Sequence, residues 1–556
     1  KNVRQFFEYH ALHYDRSFRL YARDDEYHFE YKKVETFPSL GGFDTNDQND
    51  NFNNDLNNVD SNQDNFDGNS DQDQFDQWDN QDTQQDFNWD DEPEEAPMEP
   101  TMPIWMQPAP QPELGGPILR FDKVTFNFTT PYDSAFLTDT KGSLSLLDNT
   151  FVGEGGRFDW TPAGLGKDSV FFDFTQYNFN VSKPEVKAEQ GKLTYLGKVS
   201  ERVDGIFEFK SVSHKTPETS SYPRFMSFNS NIEMLGLGDD KMKYTGGFGL
   251  NGRKIYSSSV NGEPAKLEVF GDTDKKFEAR SRLFEFQDSV ISSRRAMVKI
   301  YQQNDSIYHP ANQFYYDFGK RELVLQKESG YLKNAPYSTS YFNIDFGADK
   351  IRWDLDADSL NIYSFGGRSQ SPMVLESVDY YDPEDFRLLA GYGFKFHPLA
   401  LVASYALRNG IYEFYVDDLA TATGQRSDGM RMAMSFLAQK GMIDYNASTG
   451  YVKVKNKALH YYDASKGEAD YDNLKIHSIV DGPANATINF ADGRMNVRGV
   501  EEFNVSDSLN VVIKPDSSVI TLMQNRDIKF DGKITAGNFE INGKDFLLKY
   551  DSFFIN

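Results

Sequence analysis

The chain of 556 residues contains no cysteine. That absence removes disulfide staples, thiol nucleophiles and thiolate metal sites together, and it leaves the redox compartment open. Long apolar runs are missing too: the longest, LALVASYAL at 399–407, falls well short of the ~18 residues a membrane-spanning helix needs. Basic side chains are absent from one whole stretch, since no Lys or Arg lies between Lys33 and Arg120. There is no H-E-x-x-H, no G-x-S-x-G and no phosphate loop, and the eight histidines are scattered. The sequence therefore reads as non-enzymatic, with no catalytic, cofactor-binding or metal residue assigned and no cofactor expected.

What is present is uneven. The net charge is −27, and residues 34–119 hold 21 of the 85 acidic groups; the other 470 residues carry 64 acidic and 58 basic groups, a net of −6. The acidity belongs to one segment, an Asp/Asn/Gln-rich run that turns Pro-rich (MEPTMPIWMQPAPQPELGGP). Such a composition buries too little apolar surface to offset chain entropy, so 38–117 reads as a disordered linker after an N-terminal element at 1–37. The alternating apolar ending DSFFIN suggests a fragment of a longer protein, leaving a signal peptide or anchor open.

The rest is rich in Phe (46) and Tyr (31), and its pattern is that of strands. In ILRFDKVTFNFTT, Val124, Phe126 and Phe128 alternate with Thr125, Asn127 and Thr129, as in a half-buried strand. DSVFFDFTQYNFNV changes parity near Gln176, which implies a bulge or corner. Asn251-Gly252, Asn261-Gly262 and Asn542-Gly543 read as hairpin turns, and GEGGRFDW as a turn into a strand. Mainly β architecture follows, with bodies at 118–385 and 458–556.

Two segments superimpose with an offset of 37: HPANQFYYDFGKRELVLQKESG on GADKIRWDLDADSLNIYSFGG. Ala311 falls on Ala348, Tyr316-Asp317 on Trp353-Asp354, Leu323 on Leu360 and Leu325 on Ile362. Each copy offers an aromatic, a turn and an alternating strand, a unit that buries its face by stacking on the next. An elongated β-solenoid or β-jellyroll-type body is expected. The pattern A-x-x-x-x-Y-D, then L-x-L and a glycine, resembles the repeat of the OstA/LptA family of envelope proteins, with Asn312 departing from the usual Asp that Asp349 keeps. The resemblance implies a folded-over β-jellyroll carrying lipopolysaccharide acyl chains in the periplasm or outer membrane. Tyr316, Leu323, Leu325, Trp353, Leu360 and Ile362 would line that apolar interior.

A tripeptide also recurs: Asp133-Ser134-Ala135, Asp168-Ser169-Val170, Asp288-Ser289-Val290, Asp305-Ser306-Ile307, Asp358-Ser359-Leu360 and Asp507-Ser508-Leu509. It is similar to the O-glycosylation sequon of exported Bacteroidetes-type proteins, and equally it suits a turn feeding a strand.

Between the two β bodies, 386–457 reads differently. Pro398 opens a helix that Gly410 stops, YEFYV is a strand, and Asp417 or Asp418 caps a second helix ending at Gly424. A third helix runs from Arg426 to Lys440 with Met430, Ala433, Met434 and Leu437 on one face, and a hairpin with its tip at Asn446–Gly450 follows. This order resembles a winged helix. A DNA reader needs phosphate neutralisation, yet Tyr412 to Lys457 holds five acidic against six basic groups, and Asp428 stands at the start of the reading helix. The module is read as a docking insertion, with Arg426, Arg431, Met432, Ser435 and Gln439 as its contact face.

Three smaller features invite chemistry. Asp354, Asp356 and Asp358 resemble the start of a calcium loop, but the twelfth position is Phe365, not Glu. His10 and His13 form a spaced pair, and ALHYD recurs as ALHYYD at 458–463, so a structural element is read there. Asp382 and Glu384 would serve a glycosidase only inside a cleft. The expectation is a cell-envelope scaffold or lipid conduit with envelope proteins as partners; alternatives are an extracellular carbohydrate-binding or carbohydrate-acting protein, and a DNA-binding one.

Overall fold

The computed structural model describes residues 18–21, 27–32 and 110–556, except 238–240, 273, 366–371, 392, 448, 507 and 508. All of these belong to one unit. His10, His13 and nearly all of the acidic 38–117 segment lie outside the described residues. Gly116 and Pro117, the end of that expected linker, already belong to the first long strand.

Antiparallel strands dominate, and four long hairpins organise them. They are Gly116–Thr129 with Ser134–Ser145, Glu185–Tyr195 with Val203–Lys210, Val290–Gln302 with Asp305–Asp317, and Ile528–Ala536 with Phe539–Lys549. The expected face of the first strand is the buried one, with Val124, Phe126 and Phe128 all in the core. Between successive hairpins the sheet divides into two ladders of shorter strands. After the third hairpin, one ladder runs Glu322–Lys327, Lys350–Asp354, Ser359–Tyr363, Ala486–Asn489, Arg494–Arg498 and Val519–Leu522. The other runs Tyr337–Thr339, Ile344–Phe346, Met373–Ser377, Lys475–Ser478, Phe503–Ser506 and Val511–Pro515. Both rejoin on Ile528–Ala536.

The parity change expected near Gln176 is the place where the chain steps between ladders. Val170–Phe174 pairs with Arg157–Asp159, whereas Gln176–Asn180 pairs with Thr150–Glu154. Rings meet across the two ladders, as Tyr244 meets Phe286 with centroids 5.2 Å apart and Phe277 meets Tyr316 at 5.1 Å. The ladders therefore face each other over a single continuous apolar core.

Some turns are where the sequence placed them: Gly252 and Gly262 have the positive φ of their Asn-Gly turns, and Gly155-Gly156 links two strands. Asn542-Gly543 is different, because it lies inside the continuous strand Phe539–Lys549. Gly543 faces Gly532 across the ladder, and a Cβ there would stand 2.4 Å from the Phe546 ring. The glycine makes room for an aromatic ring instead of a turn.

The helical insertion occupies 378–474, between the neighbouring strands Met373–Ser377 and Lys475–Ser478. Its elements are α1 (Pro383–Leu389), α2 (Pro398–Asn409), strand Glu413–Tyr415, α3 (Val416–Thr423), α4 (Ser427–Gln439), strands Ile443–Tyr445 and Tyr451–Val454, and α5 (Asn456–Lys466). Pro398 opens α2 and Gly410 closes it in the left-handed conformation. Three expectations need correction. Residues 458–466 are helix and not β-repeat, because Ala458, Tyr461 and Ala464 recur at three-residue spacing and bury one face. The insertion accordingly extends beyond 386–457 at both ends. Asp417 and Asp418 do not cap α3; Tyr415 takes that place, and the two carboxylates lie in the first turn, where the helix dipole favours them.

Candidate functional site

The six residues expected to line an interior are brought together. Tyr316 pairs with Leu323, Leu323 with Trp353 and Trp353 with Leu360, in one row across four strands. Leu325 and Ile362 stand in the adjacent row, joined through Ile351. The 37-residue offset is thus two hairpins stacked side by side in register. All six side chains are 0–2% exposed and packed into the common core. The row continues from Leu360 through Ile488, Met495, Leu522 and Ile528 to Leu548, every one buried.

A seam of small polar side chains, which no sequence pattern announced, runs along the crease where the ladders diverge. Thr140 and Ser293 lie inside long strands, between the stretch that pairs with one ladder and the stretch that pairs with the other. Ser227, Ser281, Thr339, Ser377 and Ser478 end short strands. A backbone that leaves its ladder loses hydrogen-bond partners in a buried place, and these side chains supply them. Ser227 Oγ accepts from Phe248 N at 2.9 Å, Ser257 Oγ from Phe284 N at 2.7 Å and Ser281 Oγ from Leu283 N at 3.1 Å. Ser478 Oγ donates to Arg498 O at 2.6 Å.

His309 belongs to the same crease. Its Nδ1 accepts from Ala311 N at 3.1 Å, so Nε2 carries the proton and donates to Ala335 O at 3.0 Å. Burial pushes its pKa down to about 4, and the imidazole is neutral. Nearby, Tyr337 donates to Asn312 Oδ1 at 2.6 Å.

The insertion has its own core, in which α2, α3, α4 and the three-stranded sheet pack on Ala311, Leu332 and Ala335 of the β body. Charged clamps fix its position. Lys457 of α5, with a side chain 9% exposed, reaches Asp345 at 2.7 Å and Glu376 at 3.2 Å on the sheet. Burial disfavours its charge, but the two carboxylates prevail and push the ammonium up to about 12. At the mouth of the insertion, Arg526 donates to Asp379 (2.6 Å), Asp472 (3.1 Å) and Ser377 (3.1 Å). The left-handed backbone at Asn525 and Arg526 delivers that guanidinium, and charge-assisted bonds offset the ~1–2 kcal/mol such a conformation costs per residue.

The five expected contact residues lie on or beside α4. Arg426 and Met432 are exposed, Met432 at 68%, whereas Ser435 and Gln439 are half-buried. Arg431 is drawn to Asp417 at 2.6 Å. The lysines that follow the hairpin tip are engaged: Lys453 with Glu413 at 2.7 Å and Lys455 with Asp444 at 2.9 Å, while Lys457 is turned to the body.

Other candidates have structural roles. Asp382 caps α1 by accepting from Glu384 N and Asp385 N, and Glu384 pairs with Arg387. Asp354 accepts from Asp356 N and Asp356 pairs with Arg321 at 2.8 Å, in the turn before Ser359–Tyr363. Ser211, Asp133 and His214 converge, a grouping that chain separation hid. The serine donates to the carboxylate at 2.6 Å, however, and His214 stands 3.7 Å from the other oxygen, so the aspartate and not the imidazole faces the hydroxyl. Among the described residues no three metal-ligating side chains cluster, and no helix is long and apolar enough to cross a membrane. A polar cleft of about 620 Å³ lies on the outer face, lined by His28, Glu30, Arg120, Lys141, Ser143 and Glu154. Arg120 pairs there with Glu30, and Lys141 with Glu154 at 3.1 Å.

No family model matches the sequence, no curated protein matches it, and no solved structure matches the fold.

Proposed function

We propose that the protein is a non-enzymatic scaffold of the cell envelope, with a folded-over jellyroll-type body that carries a winged-helix-like docking module. The observation behind this reading is the filled interior. The six inward residues and the row beyond them are buried against one another, which leaves their apolar surface committed to the protein's own packing. That favours a scaffold over a lipopolysaccharide conduit. Antiparallel pairing in two facing ladders supports the jellyroll-type form over a solenoid. The order α2, strand, α3, α4 and hairpin supports the winged-helix-like reading, and the paired lysines weigh against DNA as its partner.

The polar cleft at Arg120 and Lys141 favours carbohydrate binding as the second reading, with the cleft's ion pairs as hydrogen-bonding walls. The test is a titration of delipidated full-length protein with fluorescent lipopolysaccharide, and separately with oligosaccharides. A scaffold takes up neither; saturable lipid uptake restores the conduit, and saturable sugar binding that Arg120→Ala abolishes establishes the second reading.

A further inference from the structure

Two groups of serines among the described residues differ in placement. Those of the crease are buried and bonded, as above. Those of the recurring Asp-Ser-aliphatic tripeptide are placed in the opposite way. Ser134, Ser306 and Ser359 sit in the first two residues of their strands, and Ser169 and Ser289 immediately precede theirs. The first two of the five to appear, Ser134 and Ser169, are exposed, as is Ser289, and Ser306 and Ser359 are half-buried. The sixth copy, at Ser508, lies outside the described residues.

The aliphatic residue explains the orientation. Ala135, Val170, Ile307 and Leu360 are in the core at 0–2% exposure, and Val290 is half-buried. Because side chains alternate along a strand, an inward residue at one position turns the serine before it outward. The tripeptide therefore sets a serine on the outer side of a strand entry five times over, fully exposed at Ser134, Ser169 and Ser289 and half-buried at Ser306 and Ser359.

Turn chemistry does not account for these serines. Elsewhere the chain's turns show the expected bond from a short polar side chain to the backbone two residues on, as at Asp148 with Thr150 N (3.2 Å), Asn180 with Ser182 N (2.9 Å) and Asp492 with Arg494 N (3.2 Å). None of the five tripeptide hydroxyls makes a hydrogen bond to any described residue. A bulky group on the exposed Ser134, Ser169 or Ser289 would project into water, and the half-buried Ser306 and Ser359 keep part of their surface open to it.

We propose that Ser134, Ser169, Ser289, Ser306 and Ser359 are acceptors of an O-linked glycan. A neutral, hydrated sugar fits beside the preceding aspartate; a phosphate would set its charge against that carboxylate, and an acyl chain would place apolar surface in water. The transfer needs a sugar activated on a phosphate or diphosphate carrier and a separate transferase. The serine Oγ forms its bond to the anomeric carbon as the bond from that carbon to the carrier oxygen breaks. The hydroxyl proton passes to a base of the transferase, and the carrier phosphate leaves with the electron pair. This inference does not depend on the scaffold reading.

Full-length protein from its native producer is to be measured by intact mass, and its peptides fragmented to locate each added group. The expected result is the same hexose-containing increment on all five tripeptides and none on Ser281 or Ser293. Each Ser→Ala substitution removes one increment with no change in melting temperature. Bare serines at these positions in the native protein overturn the proposal, as do phosphate or acyl increments, or glycans confined to other residues.

Discussion

The β body and the helical insertion are stabilised in different ways, although they form one unit. In the body, a buried residue such as Leu360 meets Trp353 seven positions away and Ile488 far along the chain. In the insertion, Met430, Ala433, Met434 and Leu437 belong to a cluster drawn from residues 380–464 with Ala311, Leu332 and Ala335 of the body, and charged clamps such as Lys457 join the two. The difference teaches that the insertion's order is encoded locally, whereas the body holds only when distant hairpins are all in place.

The largest test of this contrast is Trp353→Ala. Emptying that much volume from the shared row is expected to cost about 3–5 kcal/mol and to lower the main calorimetric transition. Loss of insertion structure alone, with the strand signal intact, would reverse the assignment of which region limits stability.

Acid sharpens the boundary between the regions. His309 links the crease to Ala335, beneath the insertion, and burial holds its pKa near 4 against 6.5 when unfolded. Because the unfolded chain takes up the proton first, the contribution is fully present above pH ~6.5 and is lost as pH falls to ~4. The span corresponds to about 3 kcal/mol at most. Denaturant midpoints across that range should fall in the parent and flatten in His309→Gln; equal slopes in both would remove His309 from the boundary.

The smallest effect compares the serines themselves. Ser281→Ala leaves Leu283 N without its acceptor and should cost about 1–2 kcal/mol. Ser289→Ala, with no bond to lose, should stay within about 0.5 kcal/mol. Chemical denaturation of the two variants side by side reads the difference.

This contrast also sets what the sequence makes legible. Helix α2, opened by Pro398 and closed by Gly410, is readable because both signals are local. The strand over Val124–Phe128 is readable by its alternation, and the repeat pairing Tyr316 with Trp353 by its constant spacing. The division into two ladders is not, since it depends on which distant strand each half of a long hairpin meets. The crease serines escaped for the same reason: their partners, such as Phe248 N for Ser227, are set by tertiary position. Asn542-Gly543 misled because a glycine that clears space for Phe546 looks like one that turns the chain. ALHYYD misled because its likeness to ALHYD was read as repetition, whereas Ala458, Tyr461 and Ala464 stand at helical spacing on one buried face.

Arg526 has a mechanical consequence. The insertion leaves the sheet after Ser377 and returns before Lys475, two residues on adjacent, antiparallel strands. A pull on the insertion would therefore load the rungs between those strands one at a time, the geometry in which a ladder peels most easily. Asp379 and Asp472 are the residues through which that tension arrives, and Arg526 holds both. The guanidinium is a stitch at the end of a seam, so a partner tugging on the module strains this one side chain before it reaches the sheet.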